Sequence, residues 1–371
     1  MKILEVTNVD FALNHFLLPL MRRLREEGHE VVGVCADGPL LDRPRAEGFR
    51  IETLPFVRSF SLPGQLKAFW SLIRLIKREK PDMVHAHMPI SGILARLAAA
   101  ICRVPVVAYT CHGFLFNQPG SKARRMLAVM LEKLCGHLTD IYLTVSSEEA
   151  EDVRRLRIHP QPHAVGNGRD SSVFRPDPEA RQRIRDSLMT TESTPVIIAV
   201  SRLVRHKGYP ELLAAMASVP DAELWIVGER LPSDHGADLE ANFEQARNIL
   251  GSRLKCLGYR TDIPALLAAA DIFTLPSHFE GLPMSVIEAM MTGLPVVSTD
   301  ISGPREQVIQ NVTGLLVPPG TAEPLAKALK TLSENSTLRH QMGQAGRHRA
   351  LEYFEEKNII SHTVRLLLSG A

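Results

Sequence analysis

Residues 270–299 read ADIFTLPSHFEGLPMSVIEAMMTGLPVVST, and this stretch determines the class of fold. The apolar run Ile272–Leu275 predicts a buried strand. A proline just before Met284–Thr292 and a glycine just after it favour a short helix there. The apolar run Val296–Thr299 predicts the next strand. A strand–helix–strand order of this kind is typical of a parallel α/β sheet.

The same alternation extends along the rest of the chain. Predicted strands are Ile3–Thr7, Val31–Cys35, Asp82–Ala86, Val104–Thr110, Ile141–Val145, Val196–Val200, Leu224–Val227 and Leu254–Leu257. Predicted helices of the first half are Leu13–Glu27, Pro63–Glu79, Ile90–Cys102, Lys122–His137 and Ser147–Arg155. We therefore expect an α/β protein with two Rossmann-like, doubly wound domains that face each other across a cleft. The expected parts are an N-terminal domain (1–165), a linker rich in Gly, Pro, Asn and Asp (166–178), a C-terminal domain (179–355) and a last helix (356–371) returning towards the N-terminal domain.

Composition excludes several classes of protein. The chain has 371 residues, 45% hydrophobic and 23% charged, which is typical of a folded globular protein. A net charge of +2 gives no reason to expect nucleic acid as a partner. The five cysteines show no metal-like spacing, and the N-terminus predicts a strand rather than a signal peptide. We therefore expect a cytoplasmic protein, with a peripheral position on the cytoplasmic membrane face left open.

Two carboxylates bracket the predicted start of the helix in the opening stretch. Backbone N–H groups at a helix start, with Gly281 allowing close approach, favour binding of a diphosphate. Glu280 lies just before this helix and could reach a ligand hydroxyl, whereas Glu288 could accept hydrogen bonds from a ribose diol. Alternatively, Glu280 caps the helix and Glu288 is solvated.

Two cationic residues follow the first strand of the second half. Arg202 and Lys207 lie in the loop after Val196–Val200, at the same sheet edge as Glu280. Positive charge there would stabilise a leaving diphosphate. It could also replace a metal ion, and because no carboxylate pattern suits Mg²⁺ or Mn²⁺ we expect a protein without a metal or other cofactor. The alternative is a solvated basic loop.

Histidines mark the carboxyl ends of strands in the first half. His112 follows the strand Val104–Thr110, where it could donate a hydrogen bond to a sugar hydroxyl or assist with an acceptor proton. Alternatively, it is a partly buried structural histidine. His85 and His87 share one face of a strand, but the sequence shows no third metal ligand, so we expect them to pack near the cleft.

Several short motifs, taken in order, resemble one enzyme family. They are His85-Ala86-His87, Thr110-Cys111-His112-Gly113, Gly166-Asn167-Gly168, Ser201-Arg202-Leu203, Lys207-Gly208, Leu257-Gly258-Tyr259, Ala270-Asp271, Glu280-Gly281-Leu282-Pro283, Glu288-Ala289, Gly293-Leu294-Pro295 and Gly314–Gly320. Together they resemble the family-4 retaining glycosyltransferases of the GT-B type, whose E-x7-E motif Glu280 and Glu288 match. The chain is most similar to the CapM/PglA-like enzymes of capsule and glycan assembly.

The resemblance implies a reaction and a set of roles. The protein would move an N-acetylhexosamine or related sugar from a UDP-sugar to a lipid-diphosphate-linked sugar, with retention of configuration. The implied donor-site residues are Glu288 for the ribose, Arg202 and Lys207 for the diphosphate, Glu280 for the transferred sugar, the backbone of Gly281, Leu282 and Pro283, and Tyr259 and Arg260 beside the base. A UDP-sugar 2-epimerase of the same fold and a non-catalytic sugar-nucleotide-binding subunit remain alternatives.

One loop departs from the family pattern. Members often have a glycine pair after the first strand, but residues 7–14 read TNVDFALN, without glycine. Asp10 and Asn14 are therefore expected to contact the acceptor or the sugar instead.

Two basic, apolar segments offer a surface for a lipid-linked acceptor. Residues 66–78 and 122–131 each combine large apolar side chains with Lys and Arg, a composition suited to an anionic membrane interface. The alternative is that both are ordinary amphipathic helices packed on the sheet.

Overall fold

The computed structural model describes residues 1–57, 62–118, 120–230, 234 and 238–369. The chain forms two compact units. Unit 1 comprises Met1–Gly166 and Asn358–Ala371, and unit 2 comprises Asn167–Lys357. The predicted linker, 166–178, accordingly falls within unit 2 except for its first residue.

Unit 1 is built on a parallel sheet of seven strands. The strands are β1 (Lys2–Val6), β2 (Glu30–Cys35), β3 (Arg50–Thr53), β4 (Met83–His87), β5 (Val106–Cys111), β6 (Ile141–Thr144) and β7 (Pro162–Ala164). Their order in space is β3-β2-β1-β4-β5-β6-β7. The direction of winding reverses between β1 and β4, and such a topological switch point is where open α/β sheets bind ligands.

Helices cover both faces of this sheet. They are α1 (Asp10–Ala12), α2 (Leu18–Glu26), α3 (Asp42–Ala46), α4 (Leu62–Glu79), α5 (Pro89–Cys102), α6 (Lys122–Gly136) and α7 (Ser147–Arg155). A π-helical segment, Leu13–Leu17, joins α1 to α2, and 3₁₀ turns occupy Pro39–Leu41 and Leu115–Asn117. The central strands are buried on both faces, which explains why they are mostly apolar, although Glu5 interrupts β1 and His85 and His87 interrupt β4.

Unit 2 repeats the same design with six parallel strands. They are β8 (Val196–Val200), β9 (Glu223–Val227), β10 (Leu254–Gly258), β11 (Ile272–Leu275), β12 (Val296–Thr299) and β13 (Gly314–Val317), in the spatial order β10-β9-β8-β11-β12-β13. The switch point of unit 2 lies between β8 and β11. The helices of this unit are α8 (Pro178–Ser187), α9 (Tyr209–Met216), α10 (Glu240–Leu250), α11 (Ile263–Ala269), α12 (Met284–Met291), α13 (Pro304–Gln307), α14 (Ala322–Glu334) and α15 (Ser336–Tyr353), with 3₁₀ turns at Arg205–Lys207 and Gly251–Arg253.

The last helix, α16 (Glu356–Ser369), belongs mostly to unit 1. Its Val364 and Leu367 are buried in the apolar cluster that also holds Ile3, Leu13 and Met21. The first unit therefore takes its core from two distant parts of the chain.

The predicted α/β class and the two Rossmann-like sheets are confirmed. The predictions missed the edge strands β3, β7 and β13. β3 reads RIET and is only half-buried, and β7 has three residues and begins with a proline. Edge strands need less apolar sequence because one side of the strand has no neighbour. Within the described ranges, no helix is long and apolar enough to cross a membrane.

Candidate functional site

Two loops meet at the switch point of unit 2. One follows β8 and the other follows β11, and the backbone N–H of His278 donates to the carbonyl of His206 at 2.8 Å. The rings of His206 and Phe279 stack with centroids 4.6 Å apart. Gly208 has φ +78°, and a Cβ there would lie 1.9 Å from the carbonyl oxygen of Pro276. Only glycine permits this approach of the two loops.

The predicted residues Lys207 and Glu280 are direct partners within these loops. Lys207 Nζ lies 2.6 Å from Glu280 Oε1, and the Ser277 hydroxyl donates to the same oxygen at 2.6 Å. The alternative in which Glu280 caps the next helix is wrong, because no side chain caps the start of α12. An ammonium group has three donors, and among the described residues Glu280 is the one partner of Lys207. The remaining N–H groups are available to an anion.

The start of α12 is fixed by side-chain hydrogen bonds to backbone carbonyls and by a close backbone approach. Asn167 donates to the carbonyl of Leu282 at 2.8 Å, and Gln307 donates to the carbonyl of Pro283 at 2.9 Å. Gly303 has φ +87°, and a Cβ there would lie 1.8 Å from the carbonyl oxygen of Gly281. The first N–H groups of a helix lack acceptors within the helix, so this fixed terminus is suited to phosphate oxygens.

Glu288 lies one turn further along α12 and is buried, 8% exposed. Its Oε1 accepts from Arg169 Nε at 2.7 Å. The alternative of a solvated Glu288 is therefore wrong. Sequence reasoning gave no role to Arg169, which stands 119 residues away and was placed in the linker. The motif Gly166-Asn167-Gly168 was its only signal.

The other predicted donor-site side chains form no hydrogen bond or ion pair with Glu280 or Glu288 among the described residues. Arg202 pairs with Asp234, and Arg260 pairs with Asp262 at 2.5 Å. Tyr259 is 53% exposed at the end of the edge strand β10. Among the described residues, neither arginine bonds to the carboxylates of α12 or its preceding loop.

In unit 1, Asp10 and Asn14 lie after β1. The carboxylate of Asp10 accepts from the backbone N–H groups of Phe11 at 2.8 Å and Leu40 at 3.3 Å, so it holds two loops together. Asn14 lies in the π-helical segment and is 7% exposed, and its Oδ1 has no hydrogen-bond partner among the described residues. π-Helical turns occur often at functional sites.

His112 belongs to a buried polar cluster at the carboxyl ends of β1, β4 and β5. His87 Nδ1 lies 3.3 Å from His112 Nε2, and His87 Nε2 lies 2.7 Å from Glu5 Oε2. His85 Nδ1 lies 3.0 Å from the same oxygen, and its Nε2 lies 2.8 Å from Thr110 Oγ1. The sequence showed no third group beside the two strand histidines that could ligate a metal, and the structure adds one, because Glu5 pairs with both.

Burial and hydrogen bonding set the charges of this cluster. Burial raises the pKa of Glu5, but the charge and hydrogen bond of His85 and the bond from His87 outweigh it and lower the pKa to about 2. Burial lowers the pKa of His87 to about 4, aided by the charge of His85 and opposed by Glu5. Burial, with His87 and His85 nearby, lowers the pKa of His112 to about 3. At neutral pH the carboxylate is therefore ionised, and His87 and His112 are neutral.

Both units match known protein families. Residues 13–168 match the family described as glycosyl transferase 4-like domain, and residues 180–349 match glycosyl transferases group 1. The crystal structure of Anabaena HepE in complex with UDP-glucose has the same fold, with a TM-score of 0.84 and 23% identity over 100% of both chains.

Two curated relatives are similar over most of their length. The UDP-Gal:α-D-GlcNAc-diphosphoundecaprenol α-1,3-galactosyltransferase of Escherichia coli is 32% identical over 327 residues, covering 85% of this chain and 83% of that enzyme. The N,N'-diacetylbacillosaminyl-diphospho-undecaprenol α-1,3-N-acetylgalactosaminyltransferase of Campylobacter jejuni is 26% identical over 372 residues, covering 97% and 96%. These matches confirm the resemblance found in the sequence, and the chain belongs to the family-4 glycosyltransferases of the GT-B type.

Proposed function

We propose that this glycosyltransferase moves a hexose or N-acetylhexosamine from a UDP-sugar to a lipid-diphosphate-linked sugar, with retention of configuration and without a metal cofactor. The observation on which this rests is the arrangement at the switch point of unit 2. There a lysine paired with a carboxylate, Lys207 and Glu280, adjoins a fixed helix start that is followed by the buried carboxylate of Glu288.

The donor-site roles follow from this geometry. The free N–H groups of Lys207 and of the start of α12 would bind the diphosphate. Glu288 keeps one oxygen beyond its bond to Arg169, and this oxygen would accept from the ribose hydroxyls. Glu280 is aligned by Ser277 and would accept from a hydroxyl of the transferred sugar. Arg202 would add positive charge near the diphosphate by exchanging Asp234 for a phosphate oxygen.

The acceptor class comes from the relatives. The Escherichia coli enzyme acts on a GlcNAc-diphosphoundecaprenol, and the Campylobacter jejuni enzyme acts on a sugar-diphospho-undecaprenol. Both names give an α-1,3 linkage, which is the configuration that retention yields from an α-linked UDP-sugar. For this chain we propose attack from the face that the diphosphate leaves, with a diphosphate oxygen taking the proton of the attacking hydroxyl. Lys207 would stabilise the charge that develops on the diphosphate.

A donor and acceptor screen tests the proposal. The protein is incubated with UDP- and GDP-sugars, with and without sugar-diphosphoundecaprenols, and UDP release and product are followed. We expect release of UDP to require the acceptor and NMR to show an α linkage. Interconversion of the donor alone would instead indicate a 2-epimerase, and UDP-sugar binding without turnover a non-catalytic subunit.

The surface of α6 supports a peripheral membrane contact for this acceptor. Met126, Met130 and Leu134 are spaced four residues apart, and together with Leu127 they form one helix face. Their exposures are 63%, 62%, 53% and 55% in that order. Basic residues Lys122, Arg124, Arg125 and Lys133 lie on the same helix. We propose that this face enters the anionic cytoplasmic leaflet. The other predicted segment, α4, buries Leu72, Ile73 and Ile76 but exposes Leu66 by 49% and Trp70 by 58%, so it presents a second exposed apolar face.

Vesicle binding tests this contact. We expect the protein to cosediment with phosphatidylglycerol vesicles more than with phosphatidylcholine vesicles, and Met126→Glu/Met130→Glu to lose this binding. Met189→Glu is the control, because Met189 is 89% exposed but lies in unit 2, outside α6. Equal binding by wild type and the double variant would refute the contact while leaving the transfer reaction untouched.

A further inference from the structure

Five side chains of unit 1 form a continuous chain of hydrogen bonds, which we call the histidine chain. It runs from Thr110 through His85 to Glu5, and then through His87 to His112. All but His112 are at most 4% exposed. Among the described residues His87 is the one hydrogen-bond partner of the His112 ring, so His112 Nδ1 lies at the open end of the chain.

Glu5 fixes the direction of the hydrogen bonds. An ionised carboxylate only accepts, so His87 must carry its proton on Nε2, which faces Glu5. A neutral imidazole has one N–H, and His87 Nδ1 is therefore an acceptor. This nitrogen faces His112 Nε2, which must in turn carry the proton of that ring. The direction does not depend on whether His85 is neutral or charged, because its Nδ1 donates to Glu5 in either state.

We propose that Glu5 and His87 are positioning residues, which hold His112 as the tautomer with Nε2 protonated so that Nδ1 accepts a hydrogen bond from a substrate hydroxyl. This proposal rests on the transfer reaction proposed above and assigns the direction of one of its contacts. It reverses the role expected from sequence, in which His112 donates to a sugar hydroxyl. The arrangement uses the same logic as a buried carboxylate that orients a catalytic imidazole.

The same arrangement makes His112 a binding group rather than a general base. Burial and the neighbouring histidines lower its pKa to about 3. An efficient general base at neutral pH needs a pKa near the working pH, so His112 is too weak a base for that role. Accepting a hydrogen bond needs only the lone pair of Nδ1. The proton of the attacking hydroxyl is then left to the diphosphate, as proposed above.

The histidine chain also offers an alternative use, as a cation site. The ligand atoms of Glu5, His85 and His87 lie within 4.8 Å of one another. Ligands of a tetrahedral Zn²⁺, each about 2.0–2.1 Å from the metal, are roughly 3.3 Å apart. The separation of 2.7 Å between His87 Nε2 and Glu5 is a hydrogen-bond length, which favours a proton between these atoms.

The first experiment reads the tautomer directly. Long-range ¹H–¹⁵N correlation spectra of ¹⁵N-histidine-labelled protein distinguish protonated from unprotonated ring nitrogens, and His112→Gln assigns the His112 signals. We expect a protonated Nε2 and an unprotonated Nδ1 in the full chain without ligand. A protonated Nδ1, or about one tightly bound metal ion per chain by mass spectrometry, would overturn the proposal. Neither outcome depends on whether the protein transfers sugar.

The second experiment tests the contact with substrate. UDP-sugars in which one hydroxyl at a time is replaced by hydrogen or by fluorine are compared as donors, with a matching series of acceptors. Fluorine can accept a hydrogen bond but cannot donate one. If His112 accepts from a hydroxyl, both replacements at that position should lower kcat/KM by roughly tenfold, the cost of one lost hydrogen bond. With His112→Ala, the modified and unmodified substrates should then have similar kcat/KM values. Retention of activity by the fluoro compound alone would show that His112 donates.

Two variants of His87 provide a matched pair. The amide of His87→Asn is placed near the original Nδ1 and can still accept from His112, whereas the amide of His87→Gln is placed near Nε2 and keeps only the bond to Glu5. We expect roughly tenfold lower kcat/KM for His87→Gln than for His87→Asn, although His87→Asn, which loses the bond to buried Glu5, should have the lower melting temperature. The reverse order would indicate a purely structural link to Glu5. If wild type shows no transfer with any acceptor, the proposed function fails, whereas the tautomer in the spectra still decides this proposal.

Discussion

Replacement of Lys207 by methionine tests the donor site most directly. Methionine keeps much of the length of the lysine stem but removes the ammonium group. We expect kcat to fall by roughly 10²–10³, or about 3–4 kcal/mol, because a fixed donor aimed at developing charge contributes that much to catalysis. The KM for the UDP-sugar should rise less, because the charge on the diphosphate grows as the bond to the sugar breaks.

The structure also bounds the effect of this substitution on stability. The two charges are 2.6 Å apart with side chains 16% and 10% exposed, which gives a gross attraction of about 6 kcal/mol at an effective dielectric constant near 20. Desolvation offsets most of this attraction, and Ser277 still donates to Glu280 after the change. We therefore expect a loss of about 1–3 kcal/mol in the free energy of unfolding, measured by urea titration.

Arg205→Met is the matched control for Lys207→Met. Arg205 lies in the same 3₁₀ turn, carries the same charge and is exposed. UDP release with a saturating lipid-linked acceptor should change by less than about twofold, as for most surface substitutions. The reasoning fails if folded Lys207→Met keeps more than a third of the wild-type kcat, or if both variants lose activity equally.

Three further predictions concern binding, pH and packing. Glu288→Gln should weaken UDP binding about tenfold by calorimetry, because an amide is a poorer acceptor for a ribose diol. The binding of inorganic diphosphate, which has no ribose, should change little. Hydrogen bonds, of which the one from Arg50 is the strongest, lower the pKa of Glu79 from 4.5 to about 2 against the smaller, opposing effect of burial. The stability that this shift provides is complete above pH 4.5 and is lost as the pH falls towards 2. The urea midpoint of Glu79→Gln should therefore depend less on pH between 4.5 and 2 than that of the wild type. Gly303→Ala should lower the free energy of unfolding by several kcal/mol, because the added Cβ would collide with the carbonyl oxygen of Gly281. Gly320→Ala, with φ +72° and nothing within 4 Å of the added Cβ, should lower it by only about 1 kcal/mol. Equal melting temperatures of the two variants would contradict this prediction.

The sequence was sufficient for the architecture because local patterns determine it. The strands at the centres of both sheets are buried on both faces, so most of their residues are apolar and their ends are marked by turn residues. The start and end of α12 also followed from a proline and a glycine. The edge strand β3 was missed because half-buried segments lose this signal.

The partners within the site could not be predicted in the same way. Glu5 reads in sequence as a charge that interrupts a buried strand, and only its register opposite His85 shows its partner. Arg169 reaches Glu288 across 119 residues. Such pairs depend on which strands become neighbours, and a single sequence does not contain that information in its local patterns.

The division of unit 1 between the two ends of the chain has a consequence for synthesis. Residues 1–166 emerge from the ribosome first, but the apolar cluster that receives Val364 and Leu367 must wait until all of unit 2 has been made. At 5–20 residues per second this interval is roughly 10–40 s. During that time a strip of unit 1 normally covered by α16 stays exposed to chaperones and to other nascent chains. The enzyme therefore completes its first unit last, and a ribosome that stalls late leaves unit 1 uncovered even when every site residue has already been made.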